Sequence, residues 1–237
     1  LVWDVFAVST YFTVSLIFWY IGMIPDLATM RDRATRRGAK FIYGLLAMGW
    51  RNSARHWHRF ESCYLLLGGL ATPLVVSVHS VVSSDFATSL EPGWHETVFP
   101  PYFVAGAIFS GFAMVLLLCI PIRHVYRLKD FITLDHLDVM AKILVATSFL
   151  TSYGYLSEQF QSWYGGEQIE HYVYLNRLIG WDQYAVLAWL VYACNTVAPQ
   201  VFWFRAARRN EVVLVIISLI ILLGMWLERF VIILTTL

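Results

Sequence analysis

Apolar residues dominate six long stretches of the chain, at about 1–24, 60–82, 101–122, 138–160, 181–204 and 212–235. Each is close to the roughly 20 residues that a helix needs to cross a hydrocarbon core of about 30 Å. A backbone in lipid must satisfy its polar groups within the element, so these segments predict helices and not isolated strands. The fourth and fifth stretches are the least uniform, because polar side chains interrupt them. The expected fold is all-α: a polytopic transmembrane helix bundle forming one membrane domain over 1–237. The first residues already read as the middle of a helix and no signal peptide is visible, so the chain is expected to be a piece of a longer subunit.

The connections between stretches alternate in charge. The 28–59 connection carries eight basic residues, Arg31, Arg33, Arg36, Arg37, Lys40, Arg51, Arg55 and Arg59. The 123–135 and 205–211 connections add Arg123, Arg127, Lys129, Arg205, Arg208 and Arg209. Between them, 83–100 has no Lys or Arg and holds Asp85, Glu91 and Glu96, while 161–180 has only Arg177 against Glu167 and Glu170. The excess of positive charge on cytoplasmic loops then puts the basic connections inside, with 83–100 and 161–180 as outer loops. The run FIYGLLAMGW at 41–50 is too short to span and reads as an interfacial helix on the inner face.

Composition agrees with this pattern: 59% of the 237 residues are apolar and only 14% are charged, where a soluble domain has about a quarter charged. A formal net charge of +1 gives no case for a nucleic-acid partner. Cys63, Cys119 and Cys194 all fall in apolar stretches without a CxxC pair and read as small buried residues. Only His79 lies well inside an expected helix, so a bis-histidine haem is not expected, nor is an iron–sulfur cluster or a metal ion held by this chain. No phosphate-binding glycine motif is present.

Ionisable residues at membrane depth are costly and therefore candidates for function. On the outer side these are Asp4, His79, Asp85, Glu158, Asp182, Glu228 and Arg229, and on the inner side Asp26, Glu61, Asp138 and Lys142. Ser148, Thr151, Ser152, Tyr155, Glu158 and Gln159 share about a third of the fourth helix's circumference. That stripe should face other helices or water. Asp138 and Lys142 form an i,i+4 pair at its inner end. Glu158, Asp138, Lys142 and Glu228 are accordingly candidates for a proton path. Simple interhelical hydrogen bonding is the plainer alternative for the stripe. His79 sits about a turn inside the outer edge of its helix, where an imidazole can take a hydroxyl proton and a carboxylate such as Asp85 can orient it or carry the proton away.

The stretch HSVVSSDFATSLEPGWHETVFPPYFVAGAIFSG at 79–111 resembles the polysulfide-reductase-type (NrfD/PsrC-like) integral membrane subunits. Within that family it is most similar to the quinol-interacting subunits of bacterial alternative complex III. RFESCYLLLGGLATPLVVSVHS before it and GWDQYAVLAWLVYACNTVAPQVFWF at 180–204 carry the likeness along most of the chain. The resemblance implies two four-helix bundles with flanking helices, of which six helices are visible and others would precede Leu1. It implies a location in the bacterial inner membrane and no resident cofactor. Its substrate would be menaquinol or ubiquinol, bound near the outer face. Its partners would be a periplasmic iron–sulfur subunit, multihaem cytochrome c subunits and a homologous membrane subunit. His79 and Asp85 match the motif and are the expected contacts of the quinol and its proton. Glu96 and Tyr102 match the same motif as further quinol-binding residues. Other readings are a membrane anchor working in the reverse direction for a molybdenum reductase or hydrogenase, a proton or ion transporter, and a purely structural anchor.

Overall fold

In a computed structural model, residues 2–90, 93–94, 96–180 and 183–234 are described. Among them there is no strand, and six helices are long and apolar enough to cross a membrane. The chain is an all-α, multi-pass membrane protein. Its helices are α1 (Val2–Arg33), α2 (Arg37–Leu46), α3 (Ala54–Ala87), α4 (Phe99–Val125), α5 (Leu134–Tyr164), α6 (Gln168–Ile179), α7 (Gln183–Tyr192), α8 (Arg205–Arg208) and α9 (Glu211–Leu234). A π turn, Ala193–Val197, and a 3-10 stretch, Ala198–Trp203, continue α7.

The helices run past the apolar stretches that predict them. α1 and α3 extend into the basic 28–59 segment, and the short α2 fills much of the remainder. A helix does not end where the hydrocarbon ends, because the turns beyond it keep their internal hydrogen bonds in water as well. His56 and His58 therefore belong to the first turns of α3, and His124, His136 and His171 to α4, α5 and α6, where the sequence pattern put them in loops or at borders. The 161–180 segment holds a helix of its own, α6.

The chain packs as two compact units, Leu1–Val81 and Val82–Leu237. In the first, Ala28, Ala47 and Trp50 form a small buried cluster with Ile24, Leu27 and Phe60 around it. In the second, α4, α5 and α9 interdigitate through Phe109, Ala113 and Leu116, Leu137, Ala141 and Leu144, and Leu214, Ile217 and Ile221. Their spacing of three and four is the seam pattern of helices packed nearly side by side.

Three glycines set close approaches. A Cβ at Gly154 would lie 2.3 Å from the Tyr102 ring, one at Gly106 2.9 Å from Met225 Cε, and one at Gly224 2.3 Å from Asn195 Oδ1. Such small-residue contacts are how membrane helices gain packing energy without a hydrophobic drive between them.

The irregular fifth span has a local cause. Pro199 lacks an N–H and its ring crowds the carbonyl four residues earlier, that of Asn195. The helix widens into the π turn before that point and tightens into 3-10 after it. Asn195 is fully buried there, against Gly224 of α9.

Candidate functional site

In the second unit, one group of buried polar side chains lies where α5, α6 and α9 meet Trp94 and Glu96. Gly93, at φ +80°, makes a turn that other residues resist. Trp94 Nε1 donates to the carbonyl of Ile232 at 3.2 Å and ties the turn to α9. Phe99 is buried beside it. Glu96 is thereby held inside, 4% exposed.

The hydroxyl of Tyr174, on α6, faces two carboxylates: Glu96 Oε1 at 3.1 Å and Glu158 Oε1 in closer contact. Arg177, one turn on, brings Nη1 to 3.3 Å from the same Glu158 oxygen, with both side chains buried. Tyr174 has one proton to give and two acceptors to satisfy. An extra proton on one of the carboxyls satisfies both contacts. Burial, with the charge of Glu158 next, pushes the Glu96 carboxyl up to about 8, so it stays protonated at neutral pH. Burial and the two nearby carboxylates raise the Tyr174 hydroxyl well above its ordinary value, so it too keeps its proton.

A second group lies alongside. Asn195 Nδ2 donates to Tyr155 Oη at 2.8 Å, and Tyr155 donates to Glu228 Oε2 at 2.6 Å. Arg229 Nη1 stands 3.4 Å from Glu228 Oε1, near enough for charge attraction but not for a hydrogen bond. The Arg229 guanidinium lies 4.0 Å over the Phe103 ring. The Tyr102 ring packs against Tyr155, centroids 5.6 Å apart.

Tyr102, Tyr155, Glu158, Tyr174, Arg177 and Glu228 surround one cavity of about 40 Å³. That is room for water and far too little for an aromatic head group. With Glu96, Glu158 and Glu228 all ionised, the carboxylates would outnumber Arg177 and Arg229, and Glu170 adds to the negative charge felt by Glu96, which again favours a bound proton. A wider recess of about 290 Å³ opens between α5 and α7, with Tyr155, Gln159, Trp189 and Tyr192 on its walls. Gln159 Nε2 donates to Tyr192 Oη at its edge. Aromatic walls with a few polar tips fit the chemistry of a quinone ring.

The polar stripe of α5 packs against the irregular span. Ser152 donates to Thr196 at 2.9 Å, and Gln200 donates to Ser148 at 3.2 Å. Ser148, Thr151, Ser152, Tyr155 and Glu158 are all buried.

Of the residues singled out in the sequence, Glu96, Tyr102, Glu158 and Glu228 come together here. Asp138 and Lys142 do not. They sit near the start of α5, about 30 Å (Asp138) and about 24 Å (Lys142) along the helix from Glu158. Asp138 accepts from Lys142 and from Arg208, each at 2.7 Å. Arg208 also donates to the carbonyls of Phe202 and Trp203. Nearby, Arg123 and His124 both engage Glu211, and Arg209 reaches Asp135 at 2.6 Å. The pair thus belongs to an ionic clamp joining α4, α5, α8 and α9.

His79 and Asp85 both lie on α3, His79 partly buried and Asp85 exposed. Six residues apart, they stand about 240° apart around the helix and about 9 Å along it. His79 Nδ1 is 2.8 Å from the carbonyl of Val75. A carbonyl only accepts, so Nδ1 carries the hydrogen and the neutral ring presents Nε2 as its basic atom. His95 and Asp182 lie outside the described residues.

Tyr174, Arg177 and Asn195 were not singled out as site residues by their sequence positions. The signals available were Arg177 as the lone cation of an acidic segment and Pro199 four residues after Asn195. Among the described residues no three His, Cys, Asp or Glu side chains gather as a metal site.

Compared with known families, the chain matches the family model described as polysulphide reductase, NrfD, over residues 1–237. A search of curated proteins gave no match.

Proposed function

The chain belongs to the polysulphide reductase NrfD family, and from that premise we propose that it is the quinol-oxidising membrane subunit of a respiratory complex. Membership makes it a membrane subunit of a quinone-linked oxidoreductase, whose usual partners are iron–sulfur and other redox subunits. The finer reading is quinol oxidation near the outer face, as in alternative complex III, with electrons leaving to a periplasmic iron–sulfur subunit and then to multihaem cytochrome c. Loops 83–100 and 161–180, poor in basic residues, would receive that subunit.

A bound quinol supplies two electrons and two hydroxyl protons. This chain's part is to receive the protons and to exclude premature contact with bulk water. His79 Nε2 is oriented as a base by the Nδ1 contact to Val75. Asp85, exposed on another side of α3, passes a proton to outer water rather than sharing the ring with His79. In the second unit, Tyr174 stands between Glu96 and Glu158, and Arg177 balances the charge left on Glu158 when a proton departs. Tyr155 and Glu228 extend the polar route along the cavity. Within the second unit, the buried cluster is a relay for protons that have left the quinol.

The observation that carries the quinone-linked reading is the family match along all 237 residues. The contacts of the Tyr174 hydroxyl with both Glu96 and Glu158 carry the role given to the cluster. The test is binding of a quinone analogue to the intact membrane complex, for wild type, His79→Ala and Asp85→Asn. Weaker binding or turnover in the His79 variant, with the complex assembled, supports the role given to that ring. Undisturbed binding and turnover in both variants removes α3 from the quinol site.

A further inference from the structure

The first unit contains a pocket that the redox reading leaves unused. It lies between α1, the turn after α2 and the start of α3, with a volume of about 260 Å³. Ile21 and Ile24 of α1 and Phe60 and Cys63 of α3 supply an apolar floor, while His56 and Arg59 stand on its wall as polar groups. No carboxylate is among its lining residues.

The polar side is cationic and without an acidic partner. Arg59 is exposed and makes no ion pair among the described residues, and Arg55 lies one turn before it on α3. The His56 ring accepts the backbone N–H of Arg51 on Nδ1, at 3.1 Å, so its other nitrogen carries the hydrogen and is a donor. Trp50 packs edge-on against Trp57 and Phe60, and Arg31 Nη1 fixes the Trp50 carbonyl at 2.9 Å. An aromatic cluster of this kind belongs at a lipid–water boundary. Beside it, α2 shows Phe41, Ile42 and Leu45 outward, flanked by Arg36, Arg37 and Lys40. Apolar side chains next to a basic margin match the two ends of an anionic amphiphile.

We propose that this pocket binds an anionic phospholipid, with an acyl chain on the floor of Ile21, Ile24, Phe60 and Cys63 and the phosphate at Arg59 and His56. A free phosphate would leave the floor exposed to water, and a zwitterionic lipid would bring its own cation beside Arg59 and Arg55. A phospholipid with net negative charge answers both demands.

The test uses the intact complex in nanodiscs of phosphatidylcholine doped with phosphatidylglycerol, followed by washing in mild detergent and mass spectrometry of the retained lipid. One cation near a membrane surface gives about a five-fold preference for an anionic lipid. The wild-type complex should therefore retain phosphatidylglycerol about five-fold above its share of the disc. Arg59→Gln should lose that enrichment and Arg59→Lys should keep it. Cys63→Trp, which fills the floor and leaves every charge in place, should lower total retained lipid. Four results would overturn the proposal: phosphatidylglycerol at its disc share in the wild type, equal enrichment in Arg59→Gln, displacement of the lipid by inorganic phosphate alone, or quinone recovered in its place.

Discussion

A tyrosine hydroxyl between two buried carboxylates cannot be satisfied unless one of the three groups brings an additional proton. Glu96 is the acid that brings it, with its carboxyl pushed up to about 8 by burial and by the charge of Glu158. The folded chain therefore binds more protons here than the unfolded chain between the ordinary value of 4.5 and about 8. Stability contributed by this site is complete at the acid end and falls as pH rises through about 8. Glu96→Gln removes the titration. The thermal midpoint of the variant should gain on the wild type as pH goes from 6 to 9, and a constant difference across that range would contradict the shared proton. Glu158 and Glu228 were legible in the sequence as carboxylates too deep to be idle. Glu96 was legible as part of a motif, but its partners were not. Tyr174 and Arg177 come from a short polar segment in which no periodic apolar pattern announces a helix.

At the scale of the element, the apolar stretches locate the middle of each span because lipid demands them there. The ends escape that logic, since α1 and α3 continue as helices into water. The π turn escapes it as well. Its apolar residues suit lipid in any helical form, and only Pro199 hints that the hydrogen-bond ladder must break. That break carries Asn195 into the cluster, where its amide donates to Tyr155. Gly224 leaves the space for it. A Cβ there would meet Asn195 Oδ1 at 2.3 Å and Cys194 Cβ at 2.5 Å. Gly224→Ala should cost about 1–3 kcal/mol, the usual penalty of overpacking. It should appear as a lower inactivation temperature of the purified complex, together with slower turnover as Asn195 is displaced. A variant indistinguishable from wild type in both would remove the close approach from the account. At the other end of α5, Asp138→Asn should loosen the clamp to Arg208 and lower the same temperature while leaving the pH profile of turnover unchanged. A changed profile would return Asp138 to the proton route.

For the whole molecule, the proposed orientation rests on the alternation of basic and acidic connections. It would put the cluster of Glu96, Glu158 and Glu228 on the outer side and the clamp of Asp138 and Arg208 on the inner side. In a complex freed of its native cysteines, Thr88→Cys should react with an impermeant maleimide in intact cells, and Asp130→Cys only after permeabilisation. The opposite order would reverse the direction in which protons leave. The division into two compact units was not legible, because apolar length reports burial in lipid and is blind to which helices share a core.

The most direct measurement is quinol-dependent reduction of the partner's electron acceptor by the intact complex, comparing wild type with Tyr174→Phe and Glu158→Gln. Loss of a positioned proton acceptor lowers such rates by about 10²-fold or more. Both variants should show that loss with the complex fully assembled and quinone analogue still bound. Wild-type turnover in both would mean that the buried cluster is structural and that the protons of the quinol leave by another route.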